Sequence, residues 1–155
     1  MRWETHVLFA MFIGVVGVKY GYFEANGVLL IGLLLGAFLP DIDTAKSKLG
    51  RRVRPVSDFF ERFFGHRGVT HSFTGFFGFV LIIGLVSLAA ARQLFLPFFF
   101  GYLSHLVMDA LNPKGLYPLY PIKFKVSGPI KTDSWGERVF FTLILSAALY
   151  LFYFA

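Results

Sequence analysis

Apolar and polar positions fall along this chain in long blocks, not in the short alternations of a soluble fold. Five apolar stretches, at about residues 3–20, 27–40, 72–91, 94–111 and 139–155, lack the polar stripe that a helix on a globular surface keeps toward water. Their lengths lie near the roughly 17–25 residues that carry a helix across a bilayer, the second being on the short side. They predict an all-α integral membrane bundle of about five transmembrane helices, a single domain over residues 1–155. In the second stretch Gly32 and Gly36 stand four apart, a small-residue pair that lets another helix approach closely. Polar segments occupy 41–71 and 112–138. Pro113, Pro118, Pro121 and Pro129 exclude a long helix from the latter, leaving an ordered loop or short strands.

Composition sharpens this picture. The 155 residues are 56% hydrophobic and 15% charged, whereas soluble domains sit near 45–50% apolar and about 25% charged. A domain of roughly 150 residues leaves about a third of its unfolded surface in water, so a soluble core has no room for the surplus. The 21 Phe, 7 Tyr and 2 Trp suit lipid contact and membrane interfaces. The absence of cysteine removes disulfides, thiolate nucleophiles and Cys-ligated zinc. Residues 7–18 follow Arg2 as the apolar part of a signal peptide would. Yet Lys19, Tyr20 and Gly21 lead straight to the next apolar run, so they are read as a retained span.

A net charge of +6 suggests nucleic acid in a soluble protein, but its placement points elsewhere. With five spans, the amino terminus and the 41–71 and 112–138 segments share one side. The turns at 21–26 and 92–93 and the carboxyl terminus share the other. Thirteen of the fifteen Lys and Arg fall on the first side, leaving Lys19 and Arg92 opposite. The positive-inside rule makes the first side cytoplasmic, in a multi-pass protein of the cell (inner) membrane. The basic loops then lie against anionic lipid headgroups, with no nucleic-acid partner.

Ligand-type side chains gather at that same face. His6 lies in the first turns of span one. Asp41 and Asp43 sit in LPDID after span two, and His66 and His71 in HRGVTHS before span three. His105 and Asp109 lie near the end of span four. His105 and Asp109 are four apart and share a helix face, where one ion can be held by both. Pro40 stops an ordinary helix continuation, so Asp41 and Asp43 can be aimed at one centre. Thr70 or Ser72 can cap span three, placing His71 in its first turn and a helix N-terminus beside it for a phosphate oxygen. Taken singly, each has a bland reading: an interfacial histidine, a helix-terminating aspartate, a solvated arginine. Together, seven residues from four parts of the chain at one level point to a metal site. Ionisable groups inside a span are costly, roughly 2.5–3.5 kcal/mol for Asp on insertion scales, and usually functional.

LPDID, HRGVTHS and GYLSHLVMDALNPKG, in that order between apolar spans, resemble the DUF457 group of predicted membrane-bound metal-dependent hydrolases, the YdjM and YbcI type. The resemblance covers nearly the whole chain. It implies an integral membrane protein with a metal-dependent hydrolase site. The pattern falls on His6, Asp41, Asp43, His66, His71, His105 and Asp109, with Thr70, Ser72, Asn112 and Gly115 around them. The HxxxD of span four is also similar to the helical ligand pairs of zinc-dependent phospholipase C enzymes.

Nitrogen and carboxylate donors without sulfur suit a divalent metal, zinc first, with manganese or iron(II) as alternatives. Seven candidates exceed the needs of one four-coordinate ion. One or two ions are therefore expected, a pair being bridged by Asp41 or Asp43 and activating a water for attack on a phosphoester. Asp43, Asp41 and His71 are the expected catalytic residues, and Arg67, Lys114, Thr70 and Ser72 the expected substrate contacts. Glu137 is a second-row candidate. The substrate is expected to be a lipid or lipid-like, membrane-proximal phosphorylated molecule, because the site opens where headgroups lie. No HExxH motif occurs, which disfavours peptide hydrolysis. The rival readings are a membrane metal-binding or ion-handling protein and an interaction subunit with a structural metal. A catalytic site keeps an open coordination position and a structural one does not.

Overall fold

Asn26 starts the second apolar stretch as a helix by accepting the Leu29 N–H on its side chain at 2.9 Å. Pro40, unable to donate a backbone hydrogen bond, lies where that helix tightens into a 3-10 turn over Leu39–Asp43. In the computed structural model, which describes residues 1–64 and 67–154, such local signals produce an all-helical fold. Its helices are α1 (Trp3–Lys19), α2 (Gly27–Phe38), α3 (Arg54–Phe64), α4 (Phe73–Val86), α5 (Leu88–Ala110) and α6 (Trp135–Tyr153). A second 3-10 turn, Val69–His71, precedes α4.

Three boundaries differ from the sequence expectation. The third and fourth stretches are divided at Ser87, whose backbone is extended (φ −159°, ψ 112°), and not at 92–93. Leu, Ala, Arg and Gln are strong helix formers, so Arg92 and Gln93 continue α5 despite their polarity. The 41–71 segment contains α3. The 112–138 segment forms no strand among the described residues, only an isolated antiparallel bridge in which Leu116 and Val126 exchange N–H···O bonds of 2.9 Å.

Of the five stretches, only α6 is a helix both long and apolar enough to cross a bilayer by length and composition, among the described residues. At 1.5 Å per residue α2 spans about 18 Å, short of the roughly 30 Å hydrocarbon core.

Burial is inverted relative to a water-soluble protein. Leu81, Leu85, Val86, Leu143 and Phe152 are exposed, Val86 at 85%, while Thr5, His6, Asp43, Thr70, His71, Ser104, His105, Asp109 and Glu137 are buried. An apolar exterior around a polar interior matches a lipid environment.

The closest helix pair is α2 against α5, and glycine permits it. A Cβ at Gly36 would lie 2.3 Å from the Tyr102 backbone nitrogen, and one at Gly101 would lie 2.4 Å from the Leu33 carbonyl oxygen. Gly32 meets Pro97 in the same way, its Cβ falling 2.4 Å from the proline Cβ. The two glycines of α2 therefore serve packing, as their spacing predicts. On the other side of α5, Phe76 of α4 stacks on Phe98 with ring centroids 5.5 Å apart. Tyr102, Leu106 and Leu116 complete that core.

Candidate metal centre

The polar interior lies where the start of α1, the end of α2, the start of α4 and the end of α5 meet. His6 sits in the second turn of α1, and Asp41 in the turn that Pro40 imposes after α2. His71 closes the turn before α4, while His105 and Asp109 face inward from the last turns of α5. These five come together.

His71 Nε2 lies 3.2 Å from His105 Nε2, 3.3 Å from Asp109 Oδ2 and 3.6 Å from Asp41 Oδ1. His105 Nε2 lies 3.8 Å from both carboxylates. Ligand bonds of about 2.0–2.2 Å in a tetrahedral site place neighbouring donors roughly 3.3–3.6 Å apart, and Asp41, His71 and His105, whose candidate ligand atoms lie within 4.8 Å of one another, form one grouping that could hold a divalent ion. A second grouping joins His6, His105 and Asp109, whose candidate ligand atoms lie within 4.8 Å of one another. The His6 ring stacks on His105 at 4.0 Å, and its Nε2 is 3.6 Å from Asp109 Oδ1.

The outer nitrogens set the tautomers. His105 Nδ1–H donates to the Ala37 carbonyl at 2.7 Å, an acceptor only, which leaves Nε2 as a lone pair aimed at the centre. His71 Nδ1–H donates to Asp43 Oδ2 at 3.1 Å. Two Nε2 lone pairs cannot bond to each other at 3.2 Å; a cation or a proton between them resolves the conflict. Burial acts most strongly on His71 and would strip its proton. The carboxylates of Asp109, Asp41 and Asp43 outweigh it and hold the ring well above the usual histidine pKa. For Asp41 burial again opposes the charge, but His105 and the hydrogen bond from His71 hold its carboxyl well below the usual range.

Asp43 is placed differently from Asp41. Its Oδ2 accepts from the Thr70 hydroxyl at 2.7 Å and from the Arg67 N–H at 2.9 Å, as well as from His71. Among the described residues it belongs to neither ligand grouping, so geometry makes it the carboxylate that orients His71. His66 lies outside the described residues.

Arg67 adopts a left-handed backbone (φ 65°), uncommon for a non-glycine residue. Its backbone N–H thereby meets Asp43, while its guanidinium donates to Asp109 Oδ1 at 2.8 Å and to the Gly115 carbonyl at 3.0 Å. The amino group of Met1 also donates to Asp109 Oδ1, at 3.0 Å.

Thr70 and Ser72 do not face a substrate space. The Thr70 hydroxyl serves Asp43, and its carbonyl accepts from the buried Tyr102 hydroxyl. The Ser72 hydroxyl donates to the Val69 carbonyl at 2.6 Å and accepts the Gly75 N–H at the start of α4. The Phe73 N–H is taken by the Pro118 carbonyl at 2.9 Å, so two N–H groups at this helix end, those of Phe73 and Gly75, are held by the protein. Glu137 is likewise structural: it accepts from the Arg2 N–H, the Thr5 hydroxyl and the Asp133 N–H at 2.7–3.0 Å, pinning α1 to α6. Asn112 shapes the loop after α5 by donating to Thr132 Oγ1 and Ile130 O and accepting from Lys114 N.

A cleft of about 490 Å³ opens onto the cluster. Asp41, His6 and Asp109 border it, and Lys46, Arg67, Lys114 and Lys131 are its cations. Lys46 and Lys131 escape sequence reasoning, since their only signal is membership of two basic loops.

A family model described as "YdjM inner membrane protein" matches residues 1–155. The chain is 35% identical over 153 residues to "Inner membrane protein YdjM" of Escherichia coli (strain K12), covering 90% of this chain and 75% of that one. It is 29% identical over 157 residues to "Uncharacterized protein YvsG" of Bacillus subtilis (strain 168), covering 99% and 95% respectively. No solved structure matches. The ordered motifs, the apolar exterior and the match over the full length agree that the chain belongs to the YdjM inner membrane protein family.

Proposed function

We propose that this protein is a multi-pass inner-membrane, metal-dependent hydrolase that cleaves a phosphoester of a lipid or membrane-proximal substrate at the cytoplasmic face. The observation that carries the reading is the pair of inward-facing histidine nitrogens 3.2 Å apart, with Asp41 and Asp109 beside them, at the base of a basic cleft. A structural site would be sealed, whereas this one opens to a space large enough for a headgroup.

Asp41, His71 and His105 would hold a single ion, zinc first, leaving a coordination position open, with Asp109 Oδ2 a further candidate 3.3 Å from His71. Asp109 Oδ1 is already neutralised by the Arg67 guanidinium at 2.8 Å, which disfavours a second divalent ion between it and His6. When bound, the ion lowers the pKa of water and polarises a phosphoryl oxygen. Asp43 fixes the His71 ring and the Ala37 carbonyl fixes His105, so the donors are oriented before substrate arrives. Lys46, Lys114 and Lys131 attract and orient the anion. Asp41 borders the cleft, so it would hold the ion on the substrate side.

Helices α1, α2, α4, α5 and α6 are the proposed spans. All ligands lie at one end of this bundle, the end carrying the basic loops, which supports the cytoplasmic orientation. Metal analysis of purified protein, followed by a screen of phosphomonoesters, phosphodiesters and phospholipids, tests the proposal. Metal-dependent turnover supports it. A metal-loaded protein that turns over none of these, yet moves metal across liposome membranes, replaces it with ion handling.

A further inference from the structure

We infer that α3 is an interfacial helix that seats its phenylalanine face in the anionic cytoplasmic leaflet beside the metal centre. Val56, Phe59, Phe60, Phe63 and Phe64 recur at helical spacing along Arg54–Phe64, so they form one stripe. The rings touch: Phe59 and Phe63 centroids are 4.8 Å apart, and Phe60 and Phe64 are 5.9 Å apart. The stripe is open, with Phe59 52% and Phe63 65% exposed. Ser57 alone is buried, donating to the Gly50 carbonyl at 3.0 Å, so the helix is anchored by its polar edge and leaves its aromatic edge outward.

The charge pattern identifies the occupant. Arg51, Arg52, Arg54 and Arg62 outnumber Asp58 and Glu61 on and just before the helix, and a basic, aromatic, amphipathic helix is the composition that lies in an anionic headgroup layer. The connections agree. α3 follows the Leu39–Asp43 turn, which ends α2, and precedes the Val69–His71 turn, which starts α4. Both neighbours carry candidate ligands, so the helix is tethered at the level where the cleft opens. Seating it there would hold the cleft mouth at the headgroup plane. The placement rests on the apolar face and the inner-membrane family, not on hydrolysis, so loss of the hydrolase reading leaves it standing.

The chain has no cysteine, so single-cysteine variants Phe63→Cys and Asp58→Cys of the full-length protein can each carry one fluorophore in nanodiscs containing phosphatidylglycerol. The expected result is several-fold stronger quenching of the position-63 label by bromine on lipid acyl chains than by aqueous iodide, with the opposite preference at position 58. Iodide quenching of both labels overturns the inference. So does protection of position 63 from both quenchers, which would mean that a second copy or another protein covers the stripe. Equal lipid quenching in purely phosphatidylcholine discs would overturn the assignment to anionic headgroups.

Discussion

The Asp43 carboxylate accepts the Nδ1–H of His71 at 3.1 Å and is buried to 1% exposure, while Asp41, two residues earlier, reaches the other side of the same ring. The 3-10 turn divides LPDID into a residue that orients a ligand and a residue that is one. Replacing Asp43 by Asn keeps the shape but weakens the hold on the His71 tautomer. Metal affinity should fall by roughly 10–100-fold, the usual cost of losing an orienting partner, with metal binding restored at higher concentration. Asp41→Asn should lose more, since a donor itself is removed. Equal metal titration curves for wild type and Asp43→Asn would refute this division.

The pH dependence follows from His71 and Asp41. The raised pKa of His71 contributes stability that is present below its unfolded value of about 6.5 and is lost as pH rises through the higher folded value. The depressed pKa of Asp41 contributes above its unfolded value of about 3.9 and is lost as pH falls through the lower folded one. Metal-free protein therefore keeps both contributions between about pH 4 and 6.5. The ion requires His71 without its added proton, so metal binding strengthens as pH rises. Thermal unfolding in detergent, with zinc and with chelator, should show a larger zinc-induced shift at pH 8.5 than at pH 5.5. A zinc shift independent of pH would rule out His71 as a ligand.

Packing and site meet at Gly36. A methyl group there would fall 2.3 Å from the Tyr102 backbone nitrogen, and backbone cannot move aside as a flexible side chain can. Gly36→Ala must push α2 from α5, at a cost of roughly 1–3 kcal/mol for overpacking. The next residue, Ala37, supplies the carbonyl that fixes His105, so the same displacement should lower metal affinity. Substitution at Gly78, where an added Cβ meets nothing within 4 Å, serves as the control. Unchanged unfolding temperature and metal content in Gly36→Ala would contradict the close α2–α5 packing.

Much of this arrangement is legible in the sequence because helix periodicity converts spacing into geometry. His105 and Asp109 meet one centre because they are four apart, and Gly32 and Gly36 meet α5 for the same reason. What spacing leaves open is set by tertiary contacts. Asp41 and Asp43 look equivalent until the turn aims them apart, and Thr70 and Ser72 look like substrate contacts until Asp43 and the Val69 carbonyl claim their hydroxyls. The Ser87 break is masked because Arg92 and Gln93 are the polar pair, although their helix propensity carries α5 through them. In 41–71 the seven basic residues hide the helical recurrence of Val56, Phe59, Phe60, Phe63 and Phe64, so a polar loop is expected where α3 forms.

The cleft cations separate into two roles, and substitution should tell them apart. Arg67 spends its guanidinium on Asp109 at 2.8 Å and on the Gly115 carbonyl at 3.0 Å, and its side chain is only 12% exposed, so it orients a ligand as much as it meets an anion. Lys114 and Lys131 border the cleft and form no ion pair among the described residues, so their charge is available to a phosphate. If the proposed hydrolysis operates, Lys114→Ala and Lys131→Ala should each raise KM for a phosphoester by roughly tenfold, the loss of one charge-assisted hydrogen bond of about 1.5 kcal/mol, with kcat and metal content near wild type. Arg67→Ala should instead lower metal affinity and kcat together, because Asp109 loses its partner. Arg67→Lys should recover little, since one ammonium cannot span the carboxylate and the carbonyl as the guanidinium fork does. A pure KM effect from Arg67→Ala, with full metal content, would move Arg67 to the anion-binding group and leave Asp109 held by its other contacts.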